Sequence, residues 1–208
     1  MTRSPFFAAC RAEIFSRRRH FAFFANSRRG RDKTRIGDLY MSEKTVFERR
    51  DKINYYLDLA EIVSERATCI RRHFGAVIVK DDEVISTGYV GAPRGRANCN
   101  ELGYCMREKL KVPRGERYEL CRSVHAEANA IISASRSELL GSTLYLVGKE
   151  ARTGTYVEKA MPCSMCKRLI INAGIKDVYV RDTKDDYRVI DVNEWVEQDE
   201  SLEGVFGY

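Results

Sequence analysis

Two short stretches of the chain carry residue types that can hold a metal ion and move a proton. One is His125-Ala126-Glu127 and the other is Pro162-Cys163-Ser164-Met165-Cys166. Each stands where the sequence predicts the start of a helix. Cys163 and Cys166 are three apart, so on a helical turn both sulfurs can face one point. Proline suits the first turn, where its missing N–H costs nothing, and the positive end of the helix dipole favours thiolates there. With the His125 imidazole they make three ligands suited to zinc and leave a fourth position open to water, the layout of a catalytic site. Zinc lowers the pKa of bound water from about 15.7 to about 7, which makes hydroxide available near neutral pH. Glu127, near the metal but not on it, is placed to carry protons in a hydrolysis.

The plainer readings are weaker. A Cys-x-x-Cys redox pair normally accompanies a thioredoxin-like pattern, which the sequence lacks. A structural zinc knuckle wants four protein ligands, and of the three histidines (His20, His73, His125) only His125 stands in a helical His-x-Glu context. Hydroxide attack on C4 of a cytosine ring requires protonation at N3 and then at the leaving amine, and one carboxylate can take the water proton and deliver it to both. His-x-Glu followed by Pro-Cys-x-x-Cys is the signature of the zinc nucleobase deaminases.

The elements that must position these residues follow from periodicity. Apolar residues at Ile53, Tyr56, Leu57, Ala60 and Val63 predict a helix over 48–67. Runs at 76–79 and 84–87 flank a turn at 80–83 and predict a β-hairpin. Residues 91–122 show no sustained period and predict a long loop, a length that is functional or pinned by something when it occurs inside a compact domain. Ser123 is placed to cap a helix over 124–135, with Ala126, Ala130, Ile131 and Ala134 on its apolar face. A strand follows at 143–147, then a polar excursion at 149–160 turning at Gly154. A helix opening at Met161-Pro162-Cys163 and ending at Gly174, a strand at 177–181 and a short helix at 192–198 complete the order. That order predicts a three-layer α/β domain, with helices on both faces of a mixed sheet.

Composition fits a single such domain of 208 residues and 23.9 kDa. No apolar run approaches the roughly 18 residues that span a bilayer, so no membrane partner is expected. The net charge of +6 is uneven: residues 1–40 hold 10 Lys/Arg against 3 Asp/Glu, and residues 41–208 balance to −1. A near-neutral body argues against a large nucleic-acid-binding face. Residues 1–40, rich in Arg and Phe, read as a transit-type segment, as a nucleic-acid or membrane-binding arm, or as a disordered extension before a domain at 41–208. The expected location is cytoplasmic, or mitochondrial if residues 1–40 act as a transit segment.

Four further stretches extend the motif: Cys69-Ile70-Arg71-Arg72 followed by GAVIVKDD, then GYVGAPRG, CRSVHAEANAI and PCSMCKRLIINAGI. With them the chain from about 53 to 181 resembles the deoxycytidylate (dCMP) deaminase family of the cytidine-deaminase-like fold. The resemblance implies a three-layer α/β/α sandwich on a mixed five-stranded sheet, zinc on His125, Cys163 and Cys166, and Glu127 as proton shuttle. It implies conversion of dCMP to dUMP and ammonia, homo-oligomers, and dCTP or dTTP as effectors, with Mg2+ accompanying an effector nucleotide. Substrate contacts are expected from Gly88, Tyr89, Gly91 and Ala126. Where the family usually has Gly-Tyr-Asn-Gly this chain has Gly88-Tyr89-Val90-Gly91, and Val90 cannot supply the hydrogen bond expected of that asparagine. A phosphate should meet cations or backbone N–H groups; Arg94, Arg96, Arg122 and Arg181 are candidates, with Arg94 favoured.

Seven cysteines without a clear secretory signal suggest reduced thiols or metal ligands before disulfides. Cys69, Cys99, Cys105 and Cys121 in and around the long loop could hold a second, structural zinc, since closing a loop with metal offsets its entropy. The alternative is that they are small buried hydrophobes. Two other functions compete with a small-nucleotide deaminase: a deaminase of a tRNA base, a free base or a pterin- or flavin-type precursor, and a non-catalytic zinc protein that binds nucleotides. Glu127 speaks against the last, because a pure binder needs no proton shuttle.

Overall fold

The structure, a computed structural model, describes residues 48–113 and 115–198. The expectations for residues 1–40 and for a domain start at Met41 fall outside them. Helix α1 (Lys52–Ser64) opens the fold, its first turn capped by the Asp51 carboxylate, which accepts from the Asn54 N–H at 2.9 Å. Strands β1 (Arg72–Lys80) and β2 (Glu83–Tyr89) form the expected hairpin. Asp81 and Asp82 at its turn have φ of 50° and 69°, the left-handed pair that two-residue hairpin loops require. Short helices α2 (Cys99–Leu102) and α3 (Met106–Lys109) and a 3-10 turn (Tyr118–Leu120) punctuate the long connection. Helices α4 (Ala126–Ile131) and α5 (Arg136–Leu139) come next, then β3 (Thr143–Glu150), α6 (Ser164–Ala173), β4 (Asp177–Arg181), β5 (Tyr187–Asp191) and α7 (Val192–Glu197).

The five strands form one mixed sheet in the order β2-β1-β3-β4-β5, parallel only between β3 and β4. Alternation along each strand sorts side chains to two faces. Val77, Val79, Tyr145 and Val147 pack beneath α1 with Tyr56, Leu57 and Ala60. Ala76, Ile78, Leu144, Leu146, Val178 and Val180 face the other way, against Ala126 and Ala130 of α4 and Ile170 and Ala173 of α6. The result is the α/β/α sandwich expected, including the fifth strand that periodicity alone missed. That strand is a five-residue edge of which only Ile190 is buried, too short to stand out from its flanks. Among the described residues no helix is long and apolar enough to cross a membrane.

Two glycines let helices lie on the sheet backbone to backbone. A Cβ at Gly75 would sit 2.2 Å from the Ala60 carbonyl oxygen, and one at Gly88 would sit 2.2 Å from the Ala126 carbonyl oxygen and 2.3 Å from the Ala130 nitrogen. Gly88 therefore seats α4 on β2. Ser86 adds a hydrogen bond to the Ala130 carbonyl at 2.8 Å. Helix α4 begins at Ala126, later than the expected cap at Ser123, because Val124 is still paired with Gly91: Val124 N–H donates to the Gly91 carbonyl at 2.8 Å, and Gly91 N–H returns a bond at 3.2 Å. His125, with ψ of 157°, becomes the N-cap residue.

On the α1 face the fully buried Arg181 donates to Asp58 at 2.7 Å, Glu61 at 2.9 Å and Asn54 Oδ1 at 2.9 Å. Asp58 also pairs with Arg50 at 3.0 Å and Lys184 at 3.2 Å. Burial opposes ionisation of Asp58, but the hydrogen bonds from Arg181, Arg50 and Lys184 outweigh it and hold its carboxyl down at about 2. A carboxyl lower in the folded state than in the unfolded chain stabilises the fold above about pH 4, and that contribution disappears as pH falls toward 2. In acid unfolding followed by circular dichroism, Asp58→Asn should therefore lose less stability than wild type between pH 5 and pH 2; parallel curves would show that the pairing carries no pH-dependent stability. Gly88→Ala should lower stability by about 1–3 kcal/mol through overpacking, measured by urea unfolding at pH 7; an unchanged midpoint would mean that α4 can lift off β2 freely.

Candidate active site

The N-termini of α4 and α6 meet at one point. His125 caps α4 with its own extended backbone, and Glu127 lies in the first turn. Cys163, with φ of −71° and ψ of 168°, caps α6, and Cys166 follows one turn in. Pro162 thus precedes the cap instead of occupying the first helical position, where the sequence places it; its fixed φ leads the chain extended into Cys163. Gly174, at φ of 75°, ends α6 as expected.

His125 Nδ1 lies 3.4 Å from Cys163 Sγ and 3.4 Å from Cys166 Sγ. Donor atoms of these three residues all fall within 4.8 Å of one another, and among the described residues no other His, Cys, Asp or Glu group of three does so. A tetrahedral site with Zn–N of about 2.0–2.1 Å and Zn–S of about 2.3 Å has N···S edges of about 3.5 Å. The spacing therefore fits a zinc ion with three protein ligands.

Protons are shared in this cluster as in a donor set awaiting a cation. The hydrogen bond with Cys166 holds the Cys163 thiol down to about 4, with His125 adding to it against burial. The same hydrogen bond and burial push Cys166 up. Burial pulls His125 toward neutrality, but hydrogen bonds to Cys121 and Cys163 and the charge of Glu127 raise it to about 11. A cation binding to thiolate and neutral imidazole displaces those protons. Glu127 is 4% exposed, and burial pushes its carboxyl up from the ordinary value against the pull of His125. A buried carboxyl beside the cluster, readily protonated, is suited to shuttle protons.

His125, Glu127 and Cys163 line a cavity of about 270 Å³. One wall is apolar: Phe74, Val90, Ala126, Val157 and Met161. Arg71, Arg72, Arg107 and Lys159 supply four cations around it. Arg71 is paired with Glu108 at 3.1 Å and Arg72 with Glu150 at 2.9 Å.

The structure brings His125, Glu127, Cys163, Cys166 and Ala126 together and leaves other sequence candidates elsewhere. Gly88 is pressed against the backbone of α4. Tyr89 and Gly91 are outside the cavity lining, although Val90 between them is in it; the Tyr89 carbonyl accepts from Asn129 Nδ2 at 2.7 Å, and Gly91 pairs with Val124. Arg94 and Arg96 are exposed and outside the cavity lining, and Arg122 donates to the Ala97 carbonyl at 2.8 Å. Arg181 lies on the opposite face of the sheet, enclosed by Asp58, Glu61 and Asn54, where no cavity ligand can reach it. Arg107 and Lys159 line the cavity without belonging to a motif that marks them in the sequence.

The cysteines named for a second, structural zinc gather in one region, with Cys69, Cys105 and Cys121 close enough to act on the Cys99 thiol. Cys69, Cys105 and Cys121 line the same cavity, and Cys99 is buried with Sγ 3.7 Å from Ser123 Oγ. No three of these thiols lie within 4.8 Å of one another. The long connection is ordered by other means: Asn98 and Glu101 form a capping box at α2, and Arg107 binds the carbonyls of Pro113 and Glu116.

Residues 50–181 match the family described as the cytidine and deoxycytidylate deaminase zinc-binding region. A deoxycytidylate deaminase of Mycobacterium phage D29 is 38% identical over 135 residues, 62% of this chain and 94% of that protein. A deoxycytidylate deaminase of Schizosaccharomyces pombe is 36% identical over 125 residues, 60% of this chain but 35% of that protein, so the match spans about a third of the yeast relative. A crystal structure of dCMP deaminase from the cyanophage S-TIM5 is 26% identical, covering 66% of this chain and 88% of that one with a TM-score of 0.45.

Proposed function

Because the chain belongs to the cytidine and deoxycytidylate deaminase zinc-binding family, we propose that it hydrolyses dCMP to dUMP and ammonia at the His125–Cys163–Cys166 cluster. The observation that carries this reading is the buried carboxyl of Glu127 beside three zinc-type donors, two of which line a cavity with it. His125, Cys163 and Cys166 would hold the zinc, and Glu127 is left off the metal for proton transfer. When bound, zinc supplies the Lewis acidity that makes water a competent nucleophile near neutral pH.

Glu127 accepts the proton released as water oxygen adds to C4 of the cytosine ring. It returns that proton to N3, then takes the proton of the new C4 hydroxyl and delivers it to the amine as the C4–N bond breaks, so one water is consumed and one ammonia leaves. Phe74, Val90 and Val157 flank the ring and exclude bulk water. Lys159, on the cavity wall with no ion pair among the described residues, and Arg72 offer charge for the 5′-phosphate. With Val90 in the wall, discrimination rests on shape and charge there and not on a side-chain hydrogen bond. A homo-oligomeric state and dCTP or dTTP as effectors, with Mg2+ on the effector nucleotide, are supported by the sequence resemblance. A tRNA substrate is disfavoured by the near-neutral charge of residues 41–208.

Glu127→Gln should keep the fold and the zinc while lowering kcat for dCMP by at least about 100-fold, the low end of what a general acid–base contributes. A spectrophotometric assay against dCMP, CMP, dCTP, deoxycytidine and cytosine reads this directly. Full activity in the variant would remove Glu127 from the mechanism, and turnover of a different compound would move the substrate. Elemental analysis should return one zinc per chain, lost in Cys163→Ser. A value of two that falls to one in Cys105→Ser would establish the second site on Cys69, Cys99, Cys105 and Cys121.

A further inference from the structure

Between α2 and α4 the chain passes beside the cavity, and one side chain ties that passage together. Arg107 of α3 is only 5% exposed. Its Nη2 donates to the Pro113 carbonyl at 2.8 Å and to the Glu116 carbonyl. Its guanidinium carbon stands 4.4 Å over the centre of the Tyr118 ring, a cation–π arrangement. Its Nε is buried without an acceptor, and among the described residues no carboxylate pairs with it. A buried cation with an idle donor and no counter-ion is a poor way to stabilise a fold, since desolvation of the charge is only partly offset. What Arg107 holds in place explains it better.

The two carbonyls it binds bracket the entry to the 3-10 turn Tyr118–Leu120. Arg117, directly after Glu116, takes φ of 45° to start that turn, and the Cys121 N–H closes it on the Tyr118 carbonyl at 2.9 Å. Residues three apart in a 3-10 turn lie one above the other, so Tyr118 and Cys121 emerge on one side. Both meet His125. The Tyr118 and His125 rings are 5.2 Å apart at 85°, edge to face, and the Cys121 thiol stands beside the imidazole on the same cavity. Metal-binding imidazoles depend on such outer partners to fix ring orientation. Here the partners come from a single turn, and that turn hangs on Arg107.

We propose that Arg107 is a positioning residue for the metal centre, acting through Tyr118 and Cys121 to hold the His125 imidazole in its ligating orientation. The proposal rests on the reading of the His125 cluster as a zinc site, and its test separates the two. Cobalt(II) is titrated into the full-length metal-stripped protein, with the visible d–d bands and thiolate charge-transfer bands followed, and its affinity is measured by chelator competition. Wild type should bind one cobalt at the cluster. Arg107→Met and Tyr118→Leu should each bind it about 10–100-fold more weakly, with altered d–d bands. Tyr118→Phe, which keeps the ring, should match wild type. The Arg107→Met/Tyr118→Leu double variant should be little weaker than either single one, because both changes break the same chain of contacts.

Folding of each stripped variant is checked by circular dichroism. If Arg107→Met does not fold, Tyr118→Leu and Tyr118→Phe decide alone. Wild-type affinity and spectrum in a folded Arg107→Met, or in Tyr118→Leu, overturn the proposal while leaving the zinc reading intact. A wild-type protein that takes up no cobalt overturns both.

Discussion

The backbone of α4 rests directly on β2 because Gly88 offers no side chain to hold it away, and the placement of the reactive groups follows from that contact. Ala126 and Ala130, both fully buried, keep the same interface thin. The Val124–Gly91 bridge then keeps the chain extended up to His125, so the imidazole leaves the backbone at the first point where the helix can begin. Glu127, two residues on, is carried inward by the first turn. A helix standing further from the sheet would leave Glu127 wetter, and a carboxyl in water loses the upward shift that suits it to carry protons.

The two faces of the sheet treat charge differently. Beneath α1, Arg181 is enclosed by Asp58, Glu61 and Asn54, and Lys149 and Tyr156 complete the coordination of Glu61. Such a network ties α1 to β3 and β4, and loss of one partner leaves a buried charge uncompensated. On the cavity side the balance is incomplete. Arg107 has only carbonyls and a ring, and Lys159 has no ion pair among the described residues. Surplus positive charge beside an apolar wall is what an aromatic base with an anionic tail requires.

Much of this was legible in the residues. The helix over 52–64, the hairpin at 81–82 and the stop at Gly174 were each announced by a local signal: apolar period, paired turn residues, a glycine after the last turn. The three proposed ligands and Glu127 were legible because each of the two motifs, His125 with Glu127 and Cys163 with Cys166, fits within one turn. What was not legible depends on contacts across the fold. The helix start at His125 is set by a bridge to Gly91, more than thirty residues away in sequence. Arg181 ends a strand like many surface arginines, and only the packing of α1 reveals it as buried. Gly88 reads as part of a substrate motif, whereas its lack of a Cβ matters to α4. Nothing local distinguishes Arg107 from its solvated neighbours Lys109 and Lys111.

Two of the three proposed ligands, His125 and Cys163, are helix caps: extended in φ and ψ themselves, they mark where each helix nucleates. A helix of six residues such as α4 is far below the length that holds together alone in water. An ion bound across the two caps would therefore join two helix nuclei that lie 38 residues apart in the chain, and helix formation and ion binding become linked equilibria. Whatever frays the first turn of α4 lowers the affinity for the ion, and whatever removes the ion loosens both turns. In this arrangement the reactive centre is also a folding clasp.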